Sequence, residues 1–203
     1  MKTSSTKKPF IVGIGGTASK TSSTEQALVL ALSAAEAAGG RTQLFGSEDL
    51  MALPHYVPGS IERNGDGQAL IDAIRAADGL IIASPGYHGT ISGLVKNAID
   101  YFEEMAKDGR VYLDGMPVGL IATAYGWQAT GGTLGALRSI VHALRGWPTP
   151  MGAAINTSEK VFHEGACQNL AAANQLNLVG RQVAEFAARS AHYAAGTTIE
   201  MSV

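Results

Sequence analysis

The stretch Gly79-Leu80-Ile81-Ile82-Ala83-Ser84-Pro85-Gly86-Tyr87-His88-Gly89-Thr90-Ile91-Ser92-Gly93 decides the fold. Its first five residues are an unbroken apolar run, as expected of a strand buried on both faces. The next ten form a glycine-rich loop, and a helix is predicted from about Leu94 to Ala106. Such a loop leaves the carboxyl end of a buried strand, where open α/β sheets hold their ligands. Pro85 restricts one backbone angle. Gly86 and Gly89 let main chain approach a flat ligand, and Tyr87 adds an aromatic face and a hydroxyl.

The same alternation extends in both directions. Strands are predicted at Phe10 to Ile14, Arg41 to Phe45, Val118 to Thr123 and Met151 to Ile155. Helices are predicted at Glu25 to Ala38, Gln68 to Ala77, Leu134 to Leu144 and Cys167 to Ser190, from apolar residues recurring at helical spacing. Gly46 to Asn64, with Pro54, Pro58 and Gly59, reads as an irregular excursion. Strands alternating with helices imply a parallel sheet covered on both faces. The expected architecture is a three-layer α/β/α sandwich with a five-stranded parallel sheet in the order 2-1-3-4-5. Residues 1–8 read as a flexible tail, and residues 9–203 as one domain.

Composition bounds the function. The chain has 203 residues, 46% hydrophobic and 16% charged, which suits a globular protein rather than a disordered one. A net charge of −2, without a basic stripe, argues against nucleic acid as a partner. Cys167 is the only cysteine, so no disulfide within the chain is possible and a cytoplasmic home is expected. Cys167 reads as a passive structural thiol or a reactive one. No apolar window approaches a membrane span. His55, His142, His163 and His192 are scattered without other metal ligands at useful spacing, so no metal site is expected.

Two other loops share the ligand-binding edge. Between strand one and its helix, six of the eight positions from 17 to 24 are Ser or Thr. A helix start carries unpaired amides and a partial positive charge. Thr17, Ser19, Ser22, Ser23 and Thr24 would therefore hold a phosphate with neutral donors. Helix capping explains one such hydroxyl, not six. The loop after strand four, Thr123-Ala124-Tyr125-Gly126-Trp127-Gln128, offers main-chain donors to a heterocycle edge. Tyr125 or Trp127 would wall a pocket, meet a partner subunit or pack on the domain.

Ser84-Pro85-x-Tyr87-His88-Gly89-Thr90-x-Ser92-Gly93-x-x-Lys96-Asn97-Ala98-x-Asp100 resembles the signature of the flavodoxin-like NADPH-dependent FMN reductase family. The first loop is similar to that family's phosphate loop at Gly16, Thr17, Ser22 and Thr24, and departs from it at Ser19, where the family has arginine. Gly131-Gly132, then Leu137-Arg138, is similar to the third contact region. The resemblance implies FMN as cofactor and NADPH or NADH as hydride donor. It implies that Thr17, Ser19, Ser22, Ser23 and Thr24 hold the phosphate. Pro85, Gly86, Tyr87 and His88 would lie beside the isoalloxazine, Gly89 would leave room for the nicotinamide, and Thr123, Ala124, Tyr125 and Gly126 would meet the pyrimidine edge.

The expected function is an NAD(P)H-dependent FMN reductase, with electrons going to free flavin for a partner monooxygenase. The alternatives are an FMN-bound reductase of quinones, azo compounds or metal oxyanions, a non-enzymatic flavin carrier or sensor, and an interaction scaffold. No residue is expected to act as a catalytic acid or base. His88 reads as pocket lining or as a proton donor, and Lys96 and Asp100 as an i, i+4 pair supporting the loop. The apolar face made by Leu94, Ala98, Tyr101, Phe102 and Met105 fits a buried helix or a subunit interface, since the resemblance implies homodimers or homotetramers.

Overall fold

The computed structural model describes residues 8–19, 21–59 and 65–196, with side chains as far as residue 190. Residues 1–7 of the expected N-terminal tail, the Lys20 cation and the side chain of His192 lie outside the described residues. In chain order the first half contains β1 (Phe10–Gly15), α1 (Ser23–Ala37), β2 (Arg41–Phe45), α2 (Ser47–Ala52), α3 (Gly65–Ala76), β3 (Gly79–Tyr87), β4 (Thr90–Ile91) and α4 (Gly93–Asp100). A 3-10 helix, Tyr101–Met105, continues α4. Then follow β5 (Pro117–Ala124), α5 (Trp127–Ala143), β6 (Trp147–Asn156), β7 (Phe162–His163), β8 (Ala166–Cys167) and α6 (Leu170–Gly196).

The main sheet runs β2-β1-β3-β5-β6, all parallel. This is the expected 2-1-3-4-5 order strand for strand, because β4 is only a two-residue antiparallel return on the end of β3. Side chains alternate across the sheet, as the pleat requires. Val12, Ile14, Leu80, Ile82, Val118 and Leu120 join the core under α3, α4 and α5. Ile11, Ile81, Ala83 and Ile121 join the core under α1 and α6. Gly180 lets those two helices touch: a Cβ there would stand 1.9 Å from the Ala31 carbonyl oxygen.

Several elements differ from the sequence expectation. The supposedly irregular segment after β2 begins with α2, whose Leu50 is buried. The third expected helix breaks into α4 and the 3-10 turn. Its apolar residues Ala98, Tyr101, Phe102 and Met105 all go into the chain's own core, so that face does not call for a subunit partner. Helix α5 starts seven residues earlier than expected, because Gly131 and Gly132 weaken the helical signal without breaking the helix. Strand β6 runs through Pro148 and Pro150, which an edge strand tolerates. The last helix starts at Leu170 rather than at Cys167, because Cys167 closes a short hairpin, β7–β8, that turns at Glu164 and Gly165 with φ of 48° and 80°.

Candidate functional site

Three loops leave the carboxyl ends of β1, β3 and β5 side by side. The first is locked by its two glycines. Gly15 (φ 155°) lies so close to β3 that a Cβ would stand 2.3 Å from the Ala83 carbonyl oxygen. A Cβ on Gly16 would stand 2.4 Å from Ser47 Oγ, at the start of α2. That hydroxyl accepts the Thr17 N–H at 3.2 Å, and Ser47 in turn donates its own N–H to Glu25 at 2.7 Å. Thr17 Oγ1 accepts the Ser19 N–H, and Ser19 Oγ accepts the Thr21 N–H. Ser22 is the N-cap of α1, accepting the Glu25 N–H at 3.1 Å. The next two amides, of Ser23 and Thr24, have no acceptor among the described residues, which is the open donor set of a helix start. A groove of about 1140 Å³ leads away from this loop between α1, α2 and the β7–β8 hairpin.

The second loop is a tight hairpin. His88 and Gly89 have φ of 50° and 92°, both positive, as a type I′ turn requires. Pro85 and Gly86 belong to β3 itself, and Tyr87 ends it. Ser84 is buried beneath the turn; its hydroxyl accepts the Ser92 N–H at 3.0 Å and donates to the Pro85 carbonyl at 2.9 Å. Ser92 then caps α4 by accepting the Val95 N–H. The family-like Asn97 faces the other way. It accepts the Tyr56 N–H and donates to the Pro54 carbonyl, tying down the segment after α2. Lys96 and Asp100 form the expected ion pair.

The third loop is short because α5 begins at Trp127. Thr123 and Ala124 lie in β5 and are buried. Gly126 (φ 117°) is the N-cap of α5 and donates its N–H to Asn156 Oδ1 at 2.8 Å. The same oxygen accepts the Ser158 N–H at 3.0 Å. Thr130 Oγ1 donates to the Trp127 carbonyl at 2.8 Å. The backbone is therefore fixed while Tyr125 and Trp127 stand outside, 82% and 64% exposed.

Direct junctions bring the loops into one site. Thr24 Oγ1 and Thr123 Oγ1 share a buried 2.6 Å hydrogen bond that joins α1 to β5. A Cβ on Gly86 would stand 2.4 Å from Thr133 Oγ1 on α5, so the hairpin and α5 are in close contact. Thr24 and Thr123 thus sit beneath the loops, bonded to each other. Thr17, Ser19, Ser22 and Ser23 lie in the first loop, and Pro85, Gly86, Tyr87, His88 and Gly89 in the hairpin. Cβ positions at Gly89, Gly126 and Gly131 meet only open space. The hydroxyls and amides before α1 suit a phosphate monoester. Gly89 and Gly126 leave the surface beside the loops open to a flat ring.

Sequence reasoning missed four residues that hold these loops, Glu25, Ser47, Thr133 and Asn156, and read Ser84 only as part of the loop signature. Asn156 carried a readable signal, a polar residue at the carboxyl end of a strand. Ser47 and Thr133 carried none, since each acts across a distance that only the folded chain closes. No group of three or more His, Cys, Asp or Glu side chains able to hold a metal occurs among the described residues. No helix among them is long and apolar enough to cross a membrane.

A model of the NADPH-dependent FMN reductase family matches residues 9–160. An FMN-dependent NADPH-azoreductase of Staphylococcus aureus is 38% identical over 89 residues, 44% of either chain. Its counterpart in Staphylococcus haemolyticus is 35% identical over 88 residues, 43% of either chain. The chain thus matches less than half the length of these relatives. Among solved structures, a flavoenzyme NAD(P)H:(acceptor) oxidoreductase from Paracoccus denitrificans superimposes with a TM-score of 0.71 at 20% identity, over 89% of this chain and 98% of the other. An NADH:FMN oxidoreductase in its apo form gives 0.66 at 23% identity, over 88% of both chains. These likenesses establish the flavodoxin-like fold.

Proposed function

This chain belongs to the NADPH-dependent FMN reductase family, and we propose that it works as an NAD(P)H-dependent flavin oxidoreductase with FMN at the carboxyl edge of its sheet. The observation that carries this reading is the convergence of the Ser84–Ser92 hairpin with the hydroxyl-rich loop before α1 and the amino end of α5. FMN, when held there, would supply the redox chemistry, as the acceptor for hydride from a reduced nicotinamide. The chain's own residues bind and orient. Thr17, Ser19, Ser22 and Ser23 would donate to the phosphate. Thr24, hydrogen-bonded to Thr123, would brace that loop from beneath. The hairpin backbone from Pro85 to Gly89 would line the ring. Gly126 and the first amides of α5 would face the ring's electron-rich edge, where a helix amino end favours negative charge.

An anaerobic titration of the FMN-reconstituted protein with NADPH and with NADH tests the reading. The expected result is loss of the flavin's visible absorbance with at least one of the two. A protein that binds FMN and resists both would be a carrier or sensor, and one that takes up no FMN a scaffold. The same reading includes assembly as a homodimer or homotetramer in the cytoplasm, checked by sedimentation and by cell fractionation. Delivery of reduced flavin to a monooxygenase would require FMN to leave; a saturable rate dependence on added FMN tests that version.

A further inference from the structure

We propose that Ser47, on α2 and outside the three loops, is a phosphate-binding residue: its hydroxyl accepts from the loop before α1 and turns its own proton to the phosphate. The inference rests on the FMN site proposed above. Its first support is the place of the side chain. Ser47 is only 8% exposed, and it lines the same groove as Ser19 and Ser22 of the loop. Its Oγ lies 3.2 Å from the Thr17 nitrogen, 30 positions away in sequence. The second support is an unused proton. Oγ accepts the Thr17 N–H, while its own O–H has no acceptor among the described residues. Buried donors are rarely left unpaired, and a hydroxyl bonded to an anion makes a charge-assisted hydrogen bond.

The third support is that α2 does not need the hydroxyl. A serine at a helix start ordinarily bonds the backbone of its own first turn. Here Asp49 accepts the Gly46 N–H at 2.8 Å and Glu25 accepts the Ser47 N–H at 2.7 Å, so carboxylates serve the start of α2. The hydroxyl is left to the loop, and the loop makes room for it: a Cβ on Gly16 would stand 2.4 Å from Ser47 Oγ. Glu25 also donates its N–H to Ser22, the cap of α1. The contacts therefore run from Thr17 through Ser47 to the first turn of α1 and frame the loop from both ends. Glu25, Glu48 and Asp49 line the groove too. They oppose an anion deeper in it, which leaves the phosphate at the loop end, among hydroxyls and the α1 amides.

The test compares the Kd of FMN and of riboflavin, read by quenching of flavin fluorescence, in the wild-type chain and in Ser47→Ala. Loss of one hydrogen bond to a charged group should raise the FMN Kd about tenfold or more and leave the riboflavin Kd within about twofold. Inorganic phosphate should displace FMN from the wild type, and should bind Ser47→Ala about tenfold more weakly. Should Ser47→Ala lose its circular dichroism, Ser47→Cys, close in shape but a weak donor, carries the same measurements with the same expectation. An FMN Kd that stays at the wild-type value overturns the assignment. So does an equal loss for both flavins, which would make Ser47 a support of the fold. Weaker FMN binding with phosphate competition unchanged overturns it as well, by placing the effect on the ring side. A wild-type chain that binds neither flavin is a different failure, and removes the FMN reading itself.

Discussion

Gly86 and Gly89 stand three residues apart in one hairpin, yet alanine fails at each for a different reason. At Gly86 the obstacle is contact: the added carbon would meet Thr133 Oγ1 at 2.4 Å and Ala124 Cβ at 3.1 Å. At Gly89 the space is open and the obstacle is backbone, with φ at 92°. Gly86→Ala should cost about 1–3 kcal/mol through overpacking, and Gly89→Ala roughly 1–2 kcal/mol through left-handed strain. Urea unfolding separates the two causes. Adding Thr133→Ala should recover part of the Gly86→Ala loss, by removing the atom it strikes, and none of the Gly89→Ala loss. Equal recovery in both backgrounds would contradict this account. The sequence displays both glycines in plain view, and the Tyr-His-Gly-Thr run reads as a turn. It cannot show which glycine is pressed by a neighbour, because Thr133 arrives from a helix 47 positions later.

Elements were legible where their signal is local. The central strands β1, β3 and β5 were readable from apolar runs, since a strand buried on both faces needs no partner to be recognised, whereas the edge strand β2, Arg41–Phe45, carries no such run. The start of α5 was not readable, because two glycines mask it and its cap, Gly126, offers no side chain to signal a boundary. The anchor of that helix is Asn156, at the far end of the next strand. Asn156 is a positioning residue for the loop that the proposed FMN site uses: its oxygen holds Gly126 and Ser158. Asn156→Ala should remove the acceptor of the Ser158 amide and leave Gly126 only its 3.1 Å bond to the Ala124 carbonyl, at about 1–3 kcal/mol if water does not replace the lost oxygen. The expected signature is a raised Kd for FMN, read by quenching of flavin fluorescence, in a protein whose circular dichroism is unchanged. Asn156→Asp, which keeps the accepting oxygen, should restore the Kd. Loss of FMN binding together with folded structure, without rescue by aspartate, would point to general damage instead.

At the scale of the molecule, two measurements of stability report different parts of the fold. Desolvation, and after it the hydrogen bond to Glu104 at 2.8 Å, hold the Tyr56 phenol well above its ordinary range. A raised phenol contributes stability that is present below the unfolded value of about 10 and is lost as pH rises beyond it. Urea midpoints should therefore fall above that pH, and fall less steeply in Tyr56→Phe. The second measurement concerns the ligand edge, where α1, α4 and α5 all begin and where the three loops are stitched to one another rather than to a separate lid. A ligand bridging them is linked to the folding of the whole sheet, because it binds only when β1, β3 and β5 are in register. FMN at a hundred times its Kd should stabilise the protein by about 2.7 kcal/mol. Riboflavin has the ring without the phosphate, so at the proposed site it would fill the hairpin side and leave the amides of Ser23 and Thr24 unused. At equal concentration it should raise the unfolding midpoint much less than FMN does. Removing the α1 cap with Ser22→Ala should cost about 1 kcal/mol in the free protein and shrink the FMN increment while leaving that of riboflavin nearly intact. Equal stabilisation by the two flavins would mean that the hydroxyl-rich loop only caps a helix, and that the ring site alone holds the cofactor.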